Sequence, residues 1–123
     1  MTGLHPLDGA VYLGQRGDVS GRVYELVAHH SGAETEAEER GLSQQLARFA
    51  EPDGVLLDAL TFADMTAGPD GATVWADARI AEILDRYDED DPVFRAVRRS
   101  APKLLVAVGR TLSRLGAVSA QPM

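Results

Sequence analysis

Apolar residues recur at helical spacing through almost the whole chain. The cleanest stripe is Ile80, Ile83, Leu84 and Tyr87, at i, i+3, i+4 and i+7, which predicts a helix over 76–87. Pro6 suits the first turn of a short helix through Leu13, with Leu7, Ala10 and Val11 on one side, and Gly14 and Gly17 should break it. Asp18 or Ser20 can cap a second helix running to His30, whose apolar residues are Val23, Leu26 and Val27. Ser31-Gly32-Ala33-Glu34 fits a capping box for a third helix reaching about Phe49, with Leu42, Leu46 and Phe49 inward. The turn Pro52-Asp53-Gly54 leads into an almost wholly apolar helix ending near Met65, and Thr66 to Gly71 is the clearest loop. From Pro92 the helical pattern continues to Leu115, with Val97, Leu104, Leu105, Val108, Leu112 and Leu115 inward and Ser100-Ala101-Pro102 dividing or kinking it. The tail from Gly116 to Met123 should fray, and only Thr73-Val74-Trp75 looks briefly extended. The expected fold is all-α: one domain over 1–123, a compact orthogonal helical bundle.

Two ionisable groups interrupt these apolar faces. Asp64 falls at i+7 from Leu57 and i+4 from Leu60, which puts a carboxylate on the stripe that should face the core. His30 stands in the same relation to Val23 and Leu26, with His29 on its flank. A charge in such a place needs a hydrogen-bonding partner, a cation or a metal. A histidine on an apolar face is more often a hydrogen-bonded core residue, and an aspartate in a last turn often meets solvent. Yet a carboxylate and two imidazoles near one core are also the raw material of a nitrogen–oxygen metal site.

Composition narrows the classes. The 123 residues include 45% hydrophobic and 25% charged positions, an ordinary globular balance. There is no cysteine, so disulfides and thiolate zinc sites are excluded. No signal peptide or bilayer-length apolar run stands out, which leads to the expectation of a cytoplasmic protein making no membrane contact. A net charge of −7 argues against broad nucleic-acid binding. Acidic residues cluster at Glu34–Glu39 and Asp88–Asp91, and basic ones at Arg95, Arg98, Arg99, Lys103, Arg110 and Arg114. A solvated helix face is the commoner meaning of such a basic group, and an interaction surface the rarer one. No GxSxG, P-loop, GxGxxG or HExxH motif is present.

The segments Leu4-His5-Pro6-Leu7-Asp8-Gly9-Ala10, Leu26-Val27-Ala28-His29-His30-Ser31, Ala63-Asp64-Met65-Thr66 and Gly68-Pro69-Asp70-Gly71 occur in that order. Together they resemble the HD-domain phosphohydrolases, in particular the small bacterial HD proteins, over most of the chain up to about Leu115. The resemblance implies that Asp64 is a metal ligand, that His5 and His29 serve a second metal, and that His30 is a further ligand or phosphate contact. It implies a divalent cation (manganese, iron, zinc, nickel or magnesium) and a phosphorylated small molecule or nucleotide as substrate. In that family a metal-activated water attacks a phosphoester or phosphoanhydride.

The chain departs from the family pattern in one respect. It contains no His-Asp dipeptide, so the resemblance is to an HD domain without its first helices, and no catalytic or substrate-binding residue can be assigned. The alternative reading is a non-catalytic helical interaction module that self-associates as a homodimer, because shortening such a fold would expose apolar surface.

Overall fold

The structure, a computed structural model, describes residues 2–119, with side chains as far as Gly116. Seven α-helices follow one another among these residues: α1 (His5–Arg16), α2 (Gly21–His29), α3 (Ala33–Arg40), α4 (Ser43–Leu46), α5 (Gly54–Met65), α6 (Ala76–Arg86) and α7 (Pro92–Ser119). A 3-10 turn, His30–Gly32, links α2 to α3. The described residues form no strand; a single antiparallel bridge joins Ala67 to Thr73 across the loop between α5 and α6. The all-α expectation therefore holds, and no helix is long and apolar enough to cross a membrane.

Two apolar clusters organise the chain. Leu4, Leu7, Ala10, Ala28, Ala33, Ala37 and Leu46 form the first, flanked by Tyr24, Val27, Leu42 and Phe49. Tyr24 and Phe49 meet edge to face, their ring centroids 6.1 Å apart. Met65, Ala76, Ile80, Ile83, Leu104 and Val108 form the second. The long α7 packs against α3, α5 and α6 and so ties the two halves together. Small residues set the spacing where α1 crosses α2: a Cβ on Gly9 would lie 3.2 Å from Val27 Cγ1.

Several local expectations are corrected. Helix α1 continues through Gly14 to Arg16 and stops at Gly17, whose φ of 74° only glycine adopts freely. The predicted third helix is two. Gly41, at φ 69°, ends α3 with its amide on the Glu38 carbonyl, while the Leu42 amide reaches back to the Ala37 carbonyl at 2.8 Å. That paired closure is the Schellman motif, and Leu42 packs against the cluster that contains Ala37. The capping box at Ser31 does not form: Gly32 occupies the cap position without a side-chain bond, and Ser31 bonds elsewhere. Pro102 does not divide α7, which runs unbroken through it. Leu105, Leu112 and Leu115 are exposed rather than inward; Ala107, Leu104, Val108 and Thr111 take the buried face. Helix α7 extends to Ser119, and the rest of the expected tail, residues 120–123, lies outside the described residues.

The largest correction concerns which face of α5 is buried. Asp58, Thr61 and Met65 point inward, while Asp64 is exposed. The buried carboxylate of this helix is thus Asp58. It accepts two hydrogen bonds from Arg110, at 2.7 and 2.8 Å, and one from Arg114 at 3.0 Å. Those contacts hold its carboxyl below the usual aspartate range, chiefly through Arg110, against the opposing effect of burial.

The basic group of α7 is largely engaged within the chain. Arg95 and Arg99 bridge to Glu39, and Arg99 also reaches Glu38, clamping α7 onto α3. At the other end of the chain, Asp8 ties down the entry to α1 by accepting from the Thr2 and Gly3 amides and the Thr2 hydroxyl. Burial pushes its carboxyl upward, but these donors outweigh it and leave the group below the ordinary range.

Candidate functional site

The two clusters meet at the 3-10 turn, which packs against both α5 and α7. Here the groups are polar. Ser31 has φ 55° and ψ 41°, the one non-glycine residue with positive φ among those described. Such a conformation costs a side-chain-bearing residue on the order of 1–2 kcal/mol. It is held by two bonds to α5: the Ser31 amide donates to Thr61 Oγ1 at 3.1 Å, and its hydroxyl donates to Asp64 Oδ2 at 2.6 Å. Strain maintained by specific bonds beside an ionisable pair is the kind of outlier that marks a functional site.

His30 opens the same turn. Its Nδ1 lies 2.7 Å from the Val27 carbonyl. A carbonyl only accepts, so Nδ1 carries the hydrogen, and in the neutral ring Nε2 is left as a free base. That Nε2 faces Asp64 Oδ2 at 3.9 Å. A ring whose far nitrogen is fixed by a backbone carbonyl is how metal-binding histidines are commonly oriented. Asp64 is 45% exposed and accepts from Ser31, so the pair sits at the surface with one side open to solvent.

His29 is placed differently. Only 6% of its side chain is exposed. Its Nε2 lies 2.7 Å from the Phe49 carbonyl and therefore donates to it. Its Nδ1 is buried without a hydrogen bond, 3.4 Å from Glu34 Oε1. His5 is exposed at the first turn of α1 and makes no side-chain hydrogen bond or ion pair among the described residues. Thus the structure brings His30 to Asp64 and turns His29 toward Glu34, with His5 on neither. No three His, Asp or Glu side chains gather as a metal cage among the described residues.

The register of α2 explains the split. The helix packs on α1 through Tyr24, Val27 and Ala28, and Val23 faces outward. That rotation buries His29, read from the sequence as the flank, and moves His30 to the boundary. Sequence reasoning also missed Ser31, Thr61 and Glu34. Ser31 carried a signal as the polar residue directly after a histidine pair; Thr61 is a lone hydroxyl on an apolar helix, and only the fold reveals its role.

A second feature lies on the other cluster. Phe62, Val74, Val108 and Leu112 line an apolar groove of about 550 Å³ beside Trp75, which is 80% exposed at the cap position of α6.

No family model, curated protein or solved structure matches the chain.

Proposed function

We propose that the chain is an HD-like orthogonal helical domain whose His30 and Asp64 hold a divalent cation of the kind metal-dependent phosphohydrolases use. The observation that carries this reading is the 3.9 Å approach of a free-base Nε2 to a carboxylate already oriented by Ser31. The donor set suits zinc, iron, manganese or nickel, which accept mixed nitrogen and oxygen ligands, better than magnesium, which favours oxygen. Two tetrahedral bonds to zinc span about 3.4 Å, so closing the pair needs roughly half an ångström of movement, which the exposed Asp64 can supply. When bound, such a cation lowers the pKa of a water and stabilises charge on a phosphoryl oxygen. The chain's own part is to orient the two ligands; with only these two converging, turnover of a phosphoester or nucleotide is expected to be weak.

The test is thermal melting with each metal. A ligand at about a hundred times its dissociation constant adds roughly 2.7 kcal/mol to native stability, a rise on the order of 10 °C for a domain of this size. Asp64→Asn should remove that rise. A melt unaffected by zinc, manganese, iron or nickel at neutral pH counts against the metal reading.

A second reading is favoured by the exposed Trp75 beside its apolar groove: a helical interaction module that self-associates through this face. Light scattering distinguishes it. A dimer that Trp75→Ala converts to monomer supports association, and a monomer at high concentration removes it.

A further inference from the structure

A cleft of about 180 Å³ opens where α7 packs on α3 and α5. At roughly 30 Å³ per water molecule, that is room for about six waters. It lies below the range of about 300–1,000 Å³ that drug-sized ligands occupy, so it suits one small metabolite and not a peptide or a nucleotide. Leu57 and Leu104 give it an apolar lining.

The charges around this cleft are sorted by sign. Lys103 and Arg110 stand on the α7 side, Glu34 on α3 and Glu51 on the segment before α5. Neither Lys103 nor Glu51 makes a side-chain hydrogen bond or ion pair among the described residues. Glu34 meets only His29 Nδ1, at 3.4 Å. With Nε2–H committed to the Phe49 carbonyl, the neutral ring leaves that nitrogen as an acceptor, so Glu34 lacks a donor. Arg110 gives Nε and Nη2 to Asp58 and has Nη1 to spare. Asp58 shares its one negative charge between Arg110 and Arg114, so that group keeps a positive charge in excess. Cations thus face carboxylates across one cleft, and no ion pair joins the two sides among the described residues.

Such a cleft selects by charge. A ligand with a single charge satisfies one wall and is opposed by the other. A ligand carrying both signs satisfies both walls, and beside an apolar lining each attraction is stronger than in open water. Carboxylates without donors suit a primary ammonium, which supplies three N–H groups. A guanidinium edge beside a lysine suits a carboxylate.

We propose that this cleft binds a free aliphatic α-amino acid. Its carboxylate lies on Lys103 and Arg110, its ammonium on Glu34 and Glu51, and its side chain against Leu57 and Leu104. Asp58 is a positioning residue that aims the Arg110 guanidinium. The site shares no residue with the His30–Asp64 pair and needs no cation there.

Calorimetric titration of the full chain with L-leucine tests the assignment. Isocaproate, which lacks the ammonium, and isoamylamine, which lacks the carboxylate, are the controls. Leucine should bind saturably, and at least about tenfold more tightly than either control, since each control forfeits a charged hydrogen-bonding group. Lys103 and Glu51 are exposed and unbonded, so Lys103→Met and Glu51→Gln should fold as the wild type does. Each should raise the dissociation constant for leucine about tenfold or more. Asp64→Asn should bind leucine as the wild type does. In the wild-type chain, leucine should shift the amide NMR resonances of Thr35, Thr61 and Lys103, which line the cleft. Four results would overturn the proposal: no binding at about 10 mM leucine, a control that binds as tightly as leucine, a dissociation constant unchanged in either cleft variant, or resonance shifts confined to another part of the chain. Binding lost in Asp64→Asn would overturn the separateness of the site.

Discussion

Asp58 offers the sharpest test of how the helices are held together. It is a buried carboxylate on α5 taking three hydrogen bonds from two arginines of α7. Substituting Asp58→Asn keeps the volume but turns an amide NH₂ toward guanidinium donors. A hydrogen bond to a charged group contributes about 1.5–3 kcal/mol. Stranding a buried charge costs about 3–5 kcal/mol, but Arg110 and Arg114 are about half exposed and can return to water. The expected loss is therefore about 2–3 kcal/mol, a fall in melting temperature on the order of 10 °C. Asp58→Leu, which buries no polar group, should lose less than Asp58→Asn. The pH dependence has a definite sign. The folded pKa lies below the ordinary aspartate value, so the carboxylate's contribution is complete above the unfolded pKa. It disappears as the pH falls through the folded value. Circular-dichroism melts should show a gap between wild type and Asp58→Asn at pH 7 that closes in acid, as the pH falls below the ordinary aspartate range and through the folded value. Coincident melts at pH 7, or a gap that widens with acid, would refute the reasoning.

Glu39→Gln should loosen the α3–α7 clamp, because Arg95 and Arg99 both bridge to it. Its melting difference from wild type should shrink at about 1 M salt, where the screening length is only a few ångströms. Ser31→Ala should be less stable than Ser31→Gly by about 1 kcal/mol in denaturant melts: both lose the bond to Asp64, but only glycine also escapes the left-handed strain. Gly32→Ala should destabilise by roughly 1–3 kcal/mol, since the new Cβ would meet Ser100 Oγ at 3.0 Å in a backbone with φ 76°, and a thermal melt matching wild type would count against that packing.

How legible these features were depended on how much phase information each segment held. Helix α6 has a narrow stripe, Ile80 and Ile83 with Leu84 and Tyr87 beside them, and a polar opposite face, so its position and its buried side both follow from spacing. Helix α5 is apolar nearly all round. Its spacing locates a helix but not a face, and the choice falls to tertiary contacts. Arg110 and Arg114, some fifty residues away, select Asp58, Thr61 and Met65 as the inward side. No reading of α5 alone contains that information. The break after α3 is a different case: Gly41 was a local signal, outweighed by the apolar residues that continue beyond it.

The histidine pair shows the same limit at the level of chemistry. Adjacent helical residues point about 100° apart, so two neighbouring imidazoles cannot share one face equally. Sequence spacing favoured His30 as the inward one by counting from Val23, a residue that proves to be exposed. Once Tyr24, Val27 and Ala28 meet α1, the rotation is fixed: His29 enters the interior and His30 reaches the boundary. Each ring then uses one nitrogen on a backbone carbonyl and presents the other to a carboxylate, Glu34 for one and Asp64 for the other. The pair therefore serves two separate carboxylates, one on α3 and one on α5. That division follows from the 100° step between neighbours, and it is why a single ligand set of His5, His29, His30 and Asp64 does not assemble among the described residues.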